Sequence, residues 1–102
     1  MPFARGRFAD LVERQLDLFV GEQAGLLRDV EAALRSYNTA SRDEAEERYG
    51  DYLDLVDTGQ DALAELRDTY AGTLDEETAE TYRDAFNERV RRRLPRFALE
   101  LE

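Results

Sequence analysis

Apolar residues recur along this chain in alternating steps of four and three. Val12, Leu16, Phe19, Gln23, Leu26, Val30, Ala33 and Tyr37 form the first such series, and only Gln23 in it is polar. The spacing returns side chains to one face of a helix that packs along another helix. Phe8, Leu11 and Leu18 flank the stripe on one side and Val20, Leu27 and Leu34 on the other. A first helix over about residues 4–37 is therefore expected to touch more than one neighbour. Gly21 and Gly25 lie inside it, and a glycine in a helix interior is worse than alanine by about 1 kcal/mol. Because the apolar phase runs through both without a slip, they are read as a close helix crossing rather than a break.

Tyr37-Asn38-Thr39-Ala40-Ser41 reads as a turn, since Asn and Thr compete with the helical backbone for hydrogen bonds. Ser41 followed by Glu44 has the spacing of a capping box. From there Ala45, Tyr49, Tyr52, Val56, Gly59, Leu63, Leu66 and Tyr70 repeat the four-three spacing. This predicts a second helix over 42–71, closed by Gly72. Thr73 with Glu76 repeats the box and opens a third helix over 74–94, whose face carries Ala79, Tyr82, Phe86 and Val90. Pro95 ends it by removing a donor and crowding the preceding turn. In the tail, 95–102, Phe97, Leu99 and Leu101 alternate with polar or small residues. That is strand-like spacing, but a helix restarting at Pro95 fits as well.

The chain thus reads as a single all-α domain over 1–102: an antiparallel three-helix bundle of two long helices and one shorter one, with a C-terminal tail. At about 1.5 Å per residue the long helices reach roughly 45 Å and the third only about 30 Å. Counted back from Gly72, the third helix can pair with the second only as far as Tyr52. Leu27, Val30, Leu34 and Tyr37 of the first helix, with Ala45, Tyr49 and Tyr52 of the second, are then left without a third layer. An apolar patch of that size is normally closed by something. The candidates are the tail, Phe97 to Leu101, or a second copy; the expected assembly is a twofold homodimer.

Composition narrows the chemistry. The 102 residues include 24 Asp and Glu, 14 Arg and no Lys, for a net charge of −10, and there is no Cys, His or Trp. No thiolate, imidazole base, Cys/His zinc site or disulfide framework can be built from these residues. No apolar run is long enough to span a bilayer, and charges interrupt what would have to be the apolar stretch of a signal peptide. The cytoplasm is the expected compartment.

The charge is uneven. Residues 89–96 hold five arginines, Arg89, Arg91, Arg92, Arg93 and Arg96, and no acid, within a chain whose remainder sums to −15. A guanidinium cluster can hold phosphate, a nucleic-acid backbone or an acidic partner. It can equally complement the end of its own helix dipole and face Asp51, Asp54 and Asp57 of the second helix, which is the preferred reading. The net negative charge opposes encounter with nucleic acid.

Glu22, Gln15 and Gln23 lie on or beside the first stripe and could form a polar pocket with Gln60, although polar residues at such positions more often set register. The five tyrosines, Tyr37, Tyr49, Tyr52, Tyr70 and Tyr82, fall on the stripes and read as bundle or interface packing. The function expected from all this is that of a non-enzymatic helical protein without a cofactor, acting through protein–protein contacts and self-association. The alternatives are a ligand- or metal-binding bundle with inward carboxylates, or a nucleic-acid-associated regulator using the arginine run.

Overall fold

The computed structural model describes residues 6–99 and is all-helical there, with no strand among the described residues. Four helices follow in order: α1 (Ala9–Glu22), α2 (Ala24–Asn38), α3 (Arg42–Ala71) and α4 (Glu76–Arg93), with a 3₁₀ turn over Pro95–Phe97. The molecule is elongated, 50 × 25 × 22 Å, and α3 alone runs most of its length.

The expected first helix is two helices. Gln23 leaves the helical region at φ −106°, ψ 26°, between the two glycines. A Cβ on Gly21 would meet nothing within 4 Å, and one on Gly25 only the Arg28 guanidinium at 3.9 Å. Neither glycine therefore serves a close crossing, and the chain bends where its helical propensity is weakest. Hydrogen bonds from Gln23 N to Phe19 O (2.8 Å) and from Leu27 N to Gln23 O (2.9 Å) bridge the bend, which is why the apolar phase survives it. The bend divides the labour: α1 leans mainly on α4, while α2 pairs along α3 as an antiparallel hairpin.

The caps also differ from expectation. Ser41 occupies the N-cap position of α3 but makes no side-chain cap bond, and Glu44 is exposed. The Thr73 hydroxyl, expected to open the third helix, instead donates to Tyr70 O (2.7 Å) and satisfies a terminal carbonyl of α3. Asp75 caps α4, its Oδ1 accepting from Thr78 N (2.9 Å) and its Oδ2 from the Thr78 hydroxyl (3.0 Å). These bonds hold the Asp75 carboxyl below the usual carboxylate range. Gly72 closes α3 in ordinary right-handed geometry.

The core follows the stripes. Val12, Leu16 and Phe19 of α1, Val30 of α2, Val56 and Leu63 of α3, and Ala79, Tyr82, Phe86 and Val90 of α4 are buried in one cluster. Tyr82, fully buried, packs its ring on Phe8 (5.4 Å, edge-on) and Tyr70 (4.8 Å). Its hydroxyl donates to Gln15 Oε1 (2.8 Å), so the polar residue at that position ties α1 to α4. Burial pushes the Tyr82 phenol up to about 12, against a smaller opposing effect of the Gln15 bond.

Candidate interaction surface

The tail settles half of the coverage problem within the chain. Pro95 opens the 3₁₀ turn, and the Phe97 ring drops onto Gly59 of α3. A Cβ at Gly59 would lie 2.2 Å from Phe97 Cε1, so glycine is the residue that lets the ring seat against the helix backbone. Phe97 also meets Phe19 edge-on at 6.4 Å. Gln60 Nε2 donates to Ala98 O (3.3 Å), and Arg96 pairs with Glu31 of α2 (2.9 Å). Gln60 thus pins the tail and takes no part in a polar pocket. Leu101 lies outside the described residues.

This docking corrects the expected surface. Val30 is buried and Leu27 half-buried, and both line a small cavity of about 250 Å³ closed on its other side by Arg93 to Phe97. The expected patch loses these two residues to the tail. Leu99 of the tail is buried as well, and the buried part of α3 reaches Val56, one turn before Tyr52; the hairpin end lies beyond it. There Leu34, Tyr37 and Tyr52 are half-buried, while Tyr49 is 44% exposed. Tyr37 and Tyr49 pack at 5.1 Å and Tyr49 and Tyr52 at 6.1 Å, forming an aromatic ladder along one side of the hairpin. Leu53, 40% exposed, extends the surface. It lies one residue off the four-three stripe, so the periodicity did not single it out.

Charged side chains of both signs surround this hairpin end. Arg35, Arg42 and Arg48, and the acids Glu44, Glu46, Glu47, Asp51 and Asp54, make no ion pair among the described residues.

The arginine run is the opposite case. Arg89 and Arg93 both engage Glu13 of α1, the latter at 3.0 Å, and Arg93 reaches Asp17 at 2.7 Å. Arg91 and Arg92 hold Glu88 on their own helix, drawing its carboxyl below the usual range. With Arg96 on Glu31, each of the five has a carboxylate of this chain. The expected partners, Asp51, Asp54 and Asp57, are not among them. α4 delivers its last turn to α1 because the bend at Gln23 directs α1 across it, whereas the acids of α3 lie beyond the end of α4.

Glu22 is exposed at the end of α1, and among the described residues no group of three acidic side chains converges. The inward-carboxylate alternative therefore loses the residue on which it was built. Gln15, Glu22 and Gln23 instead border an open groove between α1 and α3. The buried polar residue that periodicity missed is Asn87, which accepts from Arg67 Nη1 through its Oδ1 (2.9 Å) next to the Arg67–Asp68 pair (2.8 Å). Its only sequence signal is its place beside Phe86 on the buried face of α4.

The structure and its surfaces define an all-helical protein in which, among the described residues, no helix is long and apolar enough to cross a membrane. Family models, curated proteins and solved structures were all compared with the chain, and none matches it.

Proposed function

We propose that the protein is a cytoplasmic, non-enzymatic interaction protein that self-associates through the end of its α2–α3 hairpin. The observation that supports this reading is the exposed aromatic and aliphatic surface of Tyr49 and Leu53, continuous with Tyr37 and Tyr52. Its surroundings suit a twofold contact. In an isologous interface, where residue i of one copy meets residue j of the other, residue j also meets residue i. The unpaired arginines Arg42 and Arg48 of one hairpin can then meet the unpaired acids Asp51 and Asp54 of the other. Two hairpins packed this way build a four-helix core with the third layer that each hairpin lacks.

Sedimentation equilibrium or light scattering on the full chain tests the proposal. The wild type is expected to be a dimer, and Tyr49→Glu or Leu53→Glu to be monomeric with unchanged helix content. A wild type that stays monomeric up to high micromolar concentration would refute self-association.

A further inference from the structure

A second surface differs from the hairpin end in both shape and charge. α2 and α4 both pack along α3, whereas α1 leans on α4, and an open groove of about 460 Å³ lies between α1 and α3. Leu18, Phe19, Ala62 and Leu66 supply its apolar surface, and Leu18, at 65%, is among the most exposed large apolar side chains of the molecule. The groove runs from Gln15 to Gln23 on α1 and from Ala62 to Thr69 on α3. That is about two helical turns, or roughly 10–12 Å, on each side. Its charged lining is of one sign: Glu22 and Glu65 border it, no arginine does, and neither acid makes an ion pair among the described residues.

We propose that this groove binds a basic amphipathic helix of another protein. An apolar channel two turns long takes the anchors of a helix at spacings of three, four and seven. The acids on its edges then meet Lys or Arg on the flanks of that helix, which steers its approach and sets its polarity. A second copy of this chain is a poor occupant. Two concave surfaces related by a twofold do not fill one another, and the symmetry sets acid against acid. The groove is also remote from the hairpin end, so the two contacts are independent.

The test is a titration of the isotope-labelled full chain with an 18-residue amphipathic Leu/Lys helical peptide, followed by amide chemical shifts. The control is a peptide of the same composition whose sequence is scrambled to abolish the apolar face. Shifts are expected to centre on residues 15–23 and 62–69. Binding is expected to weaken about tenfold in Leu18→Ala, a change of the size seen when an interface anchor is truncated. The double variant Glu22→Gln/Glu65→Gln, which leaves the apolar surface intact, is expected to bind more weakly at low salt and with a shallower salt dependence. Tyr49→Glu is expected to bind as the wild type does. Equal binding of the scrambled peptide, shifts centred on residues 34–53, or no saturable binding would each overturn the proposal.

Discussion

Replacing Gly59 by alanine sets two effects against each other, and the structure says which wins. In a helix without neighbours the change would stabilise by about 1 kcal/mol, because alanine loses less backbone freedom on folding. Here the new methyl would fall 2.2 Å from Phe97 Cε1 and 2.6 Å from Cδ1. Ordinary carbon contacts need about 3.5 Å or more, so the ring must retreat by about 1 Å. The ring is 2% exposed and packs on Phe19, so a retreat costs it burial and that contact. Ejecting it forfeits about 1.5–3 kcal/mol of burial and about 0.5–1.5 kcal/mol from the edge-on contact with Phe19.

Set against the helical gain, Gly59→Ala is expected to destabilise by about 1–3.5 kcal/mol and to free the tail. Urea denaturation measures the first effect, and the rate of tryptic cleavage after Arg96 measures the second. The decisive comparison is a double-mutant cycle with Phe97→Ala. Without the ring, Gly59→Ala should change sign and stabilise by about 1 kcal/mol. If Gly59→Ala stabilises the wild-type background and leaves the tail protected from trypsin, the account of tail docking is wrong.

Two further predictions concern groups that the fold perturbs. The Tyr82 phenol is raised from 10.0 to about 12, so the folded state holds its proton more tightly than the unfolded chain does. Its contribution is complete below pH 10 and disappears as pH rises from 10 to 12, a loss of up to about 2–3 kcal/mol. Tyr82→Phe should remove that part of the alkaline decline in stability, along with the phenolate absorbance step near pH 12. The Asp75 carboxyl is lowered, so its stabilisation is present above its ordinary value of 3.8 and is lost as pH falls through the folded value. Asp75→Ala should therefore lower the urea midpoint at pH 7 and converge with the wild type in acid. Ser41→Ala should leave the midpoint unchanged at both pH values, because Ser41 makes no side-chain cap bond.

Periodicity is a statement about which side chains share a face, and on that question the amino-acid sequence was nearly sufficient. The stripe positions Val12, Leu16, Phe19, Val30, Val56, Leu63, Ala79, Tyr82, Phe86 and Val90 are buried, and Phe8, Ala71, Phe97 and Leu99 complete the core. The long α3 and the end of α4 before Pro95 also follow from spacing and length alone. What spacing does not encode is the direction of a helix in space. The bend at Gln23 leaves the phase of the stripe intact, yet it sends α1 onto α4, gives Arg93 to Glu13 and Asp17, and opens the groove beside Leu18.

The position of the tail was likewise hidden, because Gly59 reads simply as one position of the α3 stripe until Phe97 is seen resting on it. Local signals such as a cap or a stripe depend on residues a few positions apart, so the linear sequence carries them. The ion pairs, the seated ring and the two surfaces join residues tens of positions apart. Only the packed arrangement of helices decides which of those distant residues meet.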